Sequence, residues 1–600
     1  MKKNNSLSEL DVLILDIQAT GVNPANGHPT EIGWSRTRAS SEAGLPDLVE
    51  SCFCQLPEGE EVPRRVSRIT GINTEDLAAG LSPRQAWKKL LRSARKTGST
   101  GKNVACPVVI HFSRYEEPFL HNLHRQFSPK IPFPFDIICT HRLAQRLLPG
   151  LPRKSLRAIA GYFGHSVPEL RRSADHVAAT AFIWSKLARL LEDKNIHSLE
   201  ELKAWLEEPL PKTPTPDREY LVEAAQRLNL PRLPGVYRML RSNGDLLYIG
   251  KATSLKHRVN SYFQKKKRRS FAKNTLEMLT QAAHLEVFVT GSALEAALLE
   301  ADEIKKHSPP YNTALRQRDR EIVFYSRDLR LVSRQADEVH SLGPLPGRYT
   351  MPAFAAVKAL LRGELTGLDD NEVCSLALGI PSDYIPGFQC FWDGVEEFRV
   401  RHNDELNRFA GDSLTRGLLL LGKQLRRLKL EELALAVSGP VEENGDSPGT
   451  SEHDDTGDSE AGERVWTPGL VADVLEGIIR HGAHLIRRSR WYCMLSESAL
   501  AWTTGKTAGG HRRLLVMEDG IVVRQEDIDD NAPVPVPPGY MKTLAARRKS
   551  FDLVTYDRMR VLTTELRRLA ADGSNRNMRM CLSPTAVLGH AQFCELLKWV

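Results

Sequence analysis

Residues 234–263 read PGVYRMLRSNGDLLYIGKATSLKHRVNSYF. Asn243-Gly244 stands between two alternating apolar runs, and such a pair supplies the positive φ angles that a tight hairpin turn needs. Centring the turn there sets Tyr237 opposite Gly250 and Met239 opposite Tyr248. The period of two along a strand then puts both tyrosines on one sheet face. A helix is expected to begin after Thr253 or Ser254, carrying Arg258 and Tyr262 four apart on one side. Further on, GSALEAALLEADEIKKHSPPYN (291–312) reads as a second helix. Ser292 and Glu295 have the spacing of a capping box, which gives that glutamate a structural job. Leu294, Leu298, Ala301 and Ile304 form the apolar stripe, and Glu300 lies at its edge, where it can reach a cleft. Pro309-Pro310 ends the helix and delivers Asn312.

Outward from this unit, the 600-residue chain is too long for one core, so several domains are expected. An α/β multidomain fold is expected. Residues 1–190 alternate strand-like and helix-like segments and read as one α/β domain. A helix and Pro-rich connector follow (191–219), in which EEPLPKTPTPD suits a stiff spacer. The unit just described occupies 220–320, and a mostly helical region runs over 321–436. Residues 437–464 include VSGPVEENGDSPGTSEHDDTGDSEAGE, acidic and without Lys or Arg. Such a segment buries too little apolar surface to offset its ordering entropy and reads as a disordered linker. The C-terminal region, 465–600, is of unknown type. It opens with an amphipathic helix and contains RRLLVMEDGIVVRQED, where Asp519-Gly520 supplies a hairpin turn.

Lys and Arg total 82 against 74 Asp and Glu, a net charge of +8 that favours polyanionic partners only weakly as an average. Nine scattered cysteines form no paired Cys-x-x-Cys set, so neither a structural zinc site nor a disulfide framework is indicated. The N-terminal MKKNNSLSELD lacks an apolar core, and no run approaches a membrane span. A cytoplasmic protein with no membrane partner is expected.

Val236-Tyr237, Tyr248-Ile249-Gly250, Lys251, Arg258, Tyr262, Glu300 and the PPYN ending resemble the GIY-YIG nuclease family. PGVYRM, YIGKATSLKHRV and EAALLE are similar to the subgroup found in the excision-repair nucleases UvrC and Cho. The resemblance implies a small α/β GIY-YIG domain in which Glu300 holds one divalent cation, Mg²⁺ or Mn²⁺, as a Lewis acid on the scissile phosphate. It implies that Arg258 neutralises phosphoryl charge. Tyr237 and Tyr248 would position or deprotonate the attacking water, and Lys251 would favour phenolate by its charge. Tyr262 and Asn312 would orient groups around the site; which tyrosine is the base stays open. Lys265, Lys266, Lys267, Arg268 and Arg269, directly after the first helix, read either as a solvated loop or as a DNA-phosphate contact.

The N-terminal domain resembles the DnaQ-like exonucleases, with an RNase H-like fold. LDIQATGVNP (15–24) matches the first motif, VVIHFSRYEEPFL (108–120) the second and RRSADHVAAT (171–180) the third. That family uses four carboxylates to hold two metal ions and a histidine five residues before the last. Asp16 and Asp175 are present, and Glu116 replaces an aspartate. Gln18, with a neutral carbonyl that is a poor magnesium ligand, stands at the second acidic position. Leu170 stands at the histidine position, and neither His165 nor His176 has the spacing to rescue it. An inactive or strongly impaired exonuclease domain is expected. The favoured function is a DNA endonuclease of nucleotide excision repair, cutting double-stranded DNA on the 3′ side of a lesion, with a UvrB-type damage-recognition helicase as partner. The alternatives are an active 3′–5′ exonuclease and a non-catalytic DNA-binding adaptor.

Overall fold

The computed structural model describes residues 6–41, 46, 48–95, 105–166, 170–209, 218–264, 271–312, 321–347, 350–409, 413–437, 465–503, 511–571, 577–598 and 600. The basic run 265–269 and nearly all of the acidic segment lie outside them. The chain forms two compact units, Met1–Ala296 with Lys306–Ala314, and Ala297–Lys305 with Leu315–Val600.

The first unit opens with a five-stranded sheet ordered β3-β2-β1-β4-β5. β1 (Val12–Ala19), β2 (Pro29–Thr37) and β3 (Glu50–Phe53) pair antiparallel. β4 (Cys106–Ile110) and β5 (Phe135–Cys139) join in parallel. β1 begins as a continuous apolar run because both of its faces are covered. Leu13, Leu15 and Ile17 pack with Trp34, Trp87 and Phe119. Val12 and Ile14, on the other face, pack with Val177, Trp184 and Leu187 of the helix Ser173–Glu192. Alternation puts Asp16 and Gln18 on that second face, towards this helix.

A second sheet in this unit has the order β7-β6-β8, all antiparallel: β6 (Gly235–Leu240), β7 (Leu246–Ala252) and β8 (His284–Val289). Tyr237 faces Gly250 and Met239 faces Tyr248, the register read from the sequence. The turn is wider than a two-residue loop: the Gly244 N–H donates to the Arg241 carbonyl at 3.0 Å, Gly244 alone takes a positive φ of 88°, and a bulge follows Met239. The helices Leu255–Ser261 and Lys273–Gln281 belong to the same unit.

The two sheets' domains pack directly. Helix Leu156–Tyr162 lies on Lys273–Gln281, with the Ser155 hydroxyl donating to Glu277 Oε2 at 2.5 Å and the Arg153 N–H to Thr280 Oγ1 at 3.0 Å. Gly161 lets the helices approach: an added Cβ would sit 1.9 Å from Gln281 Oε1. That oxygen already accepts from Arg241 Nη2 at 3.0 Å, so it cannot swing aside freely.

In the second unit, β9 (Ile322–Tyr325), β10 (Val332–Ser333) and β11 (Leu342–Pro346) form a small antiparallel sheet. One core joins Val323, Phe354, Phe391 and Leu418 to Val471, Leu475 and Ile479, residues from both sides of the acidic segment. Helix Pro468–Leu495 runs through it, capped by Thr467 Oγ1, which accepts the Leu470 N–H at 3.2 Å, with proline at the first helical position. A five-stranded antiparallel sheet follows, ordered β14-β13-β12-β15-β16: β12 (Ala499–Trp502), β13 (His511–Glu518), β14 (Ile521–Asp529), β15 (Arg579–Ser583) and β16 (Ala586–Gly589). Asp519 and Gly520, at φ 48° and 74°, make the expected turn between β13 and β14. Among the described residues no helix is long and apolar enough to cross a membrane.

Gly161→Ala gains about 0.5–1 kcal/mol of helix propensity, but overpacking against a held side chain costs about 1–3 kcal/mol. A lower urea midpoint is therefore expected. An unchanged or higher midpoint would show that the packing between the two domains is slack.

Candidate active sites

The face of the small sheet gathers the aromatic residues marked by the sequence. Tyr237 is 0% exposed, and its hydroxyl shares a 2.9 Å hydrogen bond with that of Tyr262, which caps the Leu255–Ser261 helix. The Tyr237 and Tyr248 ring centroids are 6.1 Å apart, and Arg258 stacks its guanidinium over Tyr262 at 5.3 Å. Gly250 is required by this packing, since a Cβ there would lie 2.4 Å from the Tyr237 hydroxyl. Burial, then the neighbouring phenols of Tyr248 and Tyr262, raise the Tyr237 phenol well above its ordinary value. Tyr237 therefore stays protonated, whereas Tyr248 is half-buried.

Asn312 acts on the backbone. Its Oδ1 accepts the Ile249 N–H at 2.9 Å and its Nδ2 donates to the Ile249 carbonyl at 2.7 Å, which pins β7 between Tyr248 and Gly250. Lys251 is half-buried on the same strand. Helix Ala293–His307 carries Glu300, half-buried, while Leu294, Leu298, Ala301 and Ile304 are buried. Glu295 has the capping role read for it: its N–H donates to Ser292 Oγ at 3.2 Å and its carboxylate accepts the Gly291 N–H at 3.2 Å.

At the N-terminal site, Asp16 is 4% exposed and its carboxylate is engaged on both oxygens. Gln18 Nε2 donates to Oδ2 at 2.9 Å, and His176 Nδ1 stands 3.0 Å from Oδ1. His176 Nε2 is 3.4 Å from the carbonyl of Leu170. Asp175 is exposed and accepts the Arg172 N–H at 3.2 Å, at the start of the Ser173–Glu192 helix. Glu116, on helix Ser113–Phe127, is buried with Oε2 unpartnered. His176, excluded on spacing, thus does enter the site, because its place in the first turn faces β1. Glu31 was not read from the sequence at all. It is 1% exposed and clamps Arg172 Nη2 at 2.7 Å and the Ser173 N–H at 2.9 Å, anchoring that helix end. Its signal would have been a carboxylate opposite Gln18 in the pairing of β1 with β2.

Family models match residues 13–179 as an exonuclease and residues 233–313 as a UvrC-like GIY-YIG domain. The chain joins an exonuclease domain to a UvrC-like GIY-YIG domain. A Mycobacterium tuberculosis protein named as a bifunctional exonuclease/endonuclease is 28% identical over 315 residues, 51% of this chain and 45% of its own length. The UvrABC system protein C of a Psychrobacter species is 43% identical over 136 residues, 22% of this chain and 21% of its own. This chain therefore spans less than half the length of these curated relatives. Among solved structures, the GIY-YIG domain of Thermotoga maritima UvrC, described as bound to its catalytic magnesium, is 35% identical. It covers 15% of this chain and 93% of its own, with a TM-score of 0.13.

In the exonuclease domain, the physical effect of Gln18 is to close the site on itself. Two carboxylates at these positions would repel one another and be relieved by metal; an amide donates to Asp16 instead. Burial first, then the charge of Asp16, raises Glu116 well above its ordinary 4.5. Burial works against the charge of His176, yet Asp16 lifts that imidazole above its ordinary 6.5. Asp16 thereby favours the protonated form of both neighbours, His176 and Glu116, while Gln18 donates to it. Among the described residues no group of three or more His, Cys, Asp and Glu side chains is arranged to hold a metal ion.

Both raised groups bind their proton more tightly folded than unfolded, so stability falls as pH rises. The loss begins above 4.5 for Glu116 and above 6.5 for His176. Urea unfolding in EDTA should give a smaller free energy at pH 8 than at pH 5. Glu116→Gln should flatten that decline and be more stable than the parent at pH 8. A variant less stable at pH 8 would show that Glu116 is ionised and paired.

Proposed function

We propose that the chain is a metal-dependent DNA endonuclease whose cut is made by the GIY-YIG domain, with the exonuclease domain serving as a binding platform. The observation that carries this reading is the interlock of Tyr237, Tyr262, Tyr248 and Arg258 around Gly250, because it holds the chemistry-bearing side chains before any substrate arrives.

In this reading Tyr237, buried and protonated, orients the cluster and does not meet water. Tyr248, on the same face and half-buried, gives up its own proton to solvent and, as the phenolate, takes the proton of the attacking water. Arg258, held over the Tyr262 ring, faces the phosphate in this reading, where a planar guanidinium offsets charge growing on the non-bridging oxygens. Lys251 adds positive charge beside Tyr248 along β7, and Asn312 keeps that strand in place. Glu300 is the residue that would hold a divalent cation, Mg²⁺ or Mn²⁺; when bound, it supplies Lewis acidity at the scissile phosphate. A single, partly exposed carboxylate ligand suits a hard cation that keeps most of its own water and does not suit a zinc site. The division into 1–190, 191–219, 220–320, 321–436, 437–464 and 465–600 belongs to this proposal. An excision-repair role, incision on the 3′ side of a lesion and partnership with a UvrB-type helicase are supported by the likeness to UvrC alone.

The test uses a lesion-bearing duplex labelled at each end, with Mg²⁺ or Mn²⁺, with and without the helicase. Tyr248→Phe should lower nicking by about 10²–10⁴-fold, the usual worth of a general base. Glu300→Gln and Arg258→Ala should lower it at least as far, while Asp16→Asn leaves it unchanged. Loss of cutting in Asp16→Asn with retention in Glu300→Gln would instead put the chemistry in the exonuclease domain.

A further inference from the structure

Three helices of the second unit bring five arginines and a histidine together. Pro468–Leu495 carries Arg480, His484, Arg487 and Arg488, spaced by four, seven and eight residues and so on one face. Leu414–Val437 adds Arg426, one turn beyond Gly422, where the two helices approach so closely that a Cβ would lie 2.5 Å from that of Ala483. Leu553–Ala571 adds Arg567, one turn beyond Thr563, which accepts the Trp491 indole N–H at 2.9 Å.

The guanidiniums repel one another, and Arg426 carries the effect. Burial, then Arg567, Arg487, Arg488 and Arg480, hold the Arg426 guanidinium down to about 10. Burial, then Arg426, Arg488, His481 and Arg567, push the His484 imidazole down to about 2. The acceptors these side chains reach include the backbone oxygen of Lys598, 3.5 Å from Arg426 Nη2, that of Val600 for Arg567, and the Tyr492 hydroxyl for Arg488. Arg426 Nε is buried without a hydrogen-bond partner. So is Nδ1 of His484, a residue only 9% exposed. Five gathered guanidiniums, one with an unmet Nε–H, are the complement of a phosphate group, whose oxygens accept from guanidinium forks in pairs.

We propose that Arg426, Arg480, His484, Arg487, Arg488 and Arg567 form a phosphate-binding site, filled by a backbone phosphate of DNA or by free phosphate. It is separate from the GIY-YIG and exonuclease sites and does not rest on the nuclease reading. The arginine-rich run LIRRSRW (485–491) lies on only one helix of the three.

The experiment uses the full chain in EDTA. Anisotropy of a labelled duplex across a salt gradient compares the parent with the double variant Arg426→Gln, Arg487→Gln. Arg427→Gln, outside the cluster and paired with Glu431 at 2.8 Å, is the control. For a DNA backbone phosphate, the double variant should reduce the slope of log K against log salt by about 0.9, the worth of one lost phosphate contact, and the control should not. For free phosphate, inorganic phosphate should raise the melting temperature of the parent and leave that of the double variant unmoved, with the duplex slopes equal. Either result supports the site. In low salt without phosphate, the double variant should melt at or above the parent, because repulsion is relieved. Equal slopes with no phosphate stabilisation of the parent would overturn the proposal. So would a variant that melts lower in that buffer, since the arginines would then be structural.

Discussion

The hydrogen bond between the Tyr237 and Tyr262 hydroxyls is the constraint on which the GIY-YIG domain depends. It joins β6 to the end of the following helix through two polar atoms that would otherwise be buried unmet. Glycine at 250 follows from it, because the Tyr237 ring crosses the strand where a side chain would stand. Tyr248 is then the phenol left half-buried on that face, and Asn312 fixes its strand by bonding both backbone groups of Ile249. Each consequence narrows where the side chains can be, which is how a small domain holds a reactive geometry without substrate.

The exonuclease domain shows the opposite use of polar groups. Asp16 is closed by Gln18 and His176, burial pushes Glu116 well above the usual carboxylate range, and Glu31 is occupied with a helix terminus. Gln18 makes an internal hydrogen bond to Asp16 where a second carboxylate would make a repulsive pair. The fold tolerates this because its stability comes from β1 buried between two apolar layers, not from the site.

Much of this was legible in the residues. The pairing of Tyr237 with Gly250 follows from strand alternation and an Asn-Gly turn, and it survived a turn wider than the simplest one. The cap at Glu295 follows from spacing alone. Spacing from Asp175 does not announce the proximity of His176 to Asp16, which comes from tertiary packing of a helix on a sheet. Asn312 was assigned to the site, yet it bonds a neighbouring strand, something a loop residue does not announce. The five-stranded C-terminal sheet showed only its β13–β14 hairpin, since the flanking strands are short and lack a turn signature. The arginine cluster draws on three helices remote in sequence, and no local pattern contains it.

The central claim is that one metal-dependent site remains and that it is not the exonuclease site. The most direct measurement counts bound Mn²⁺ per chain by electron paramagnetic resonance in the absence of DNA. One ion per chain, lost in Glu300→Gln and kept in Asp16→Asn, is the predicted result. Two ions, or an ion that Asp16→Asn removes and Glu300→Gln does not, would contradict it.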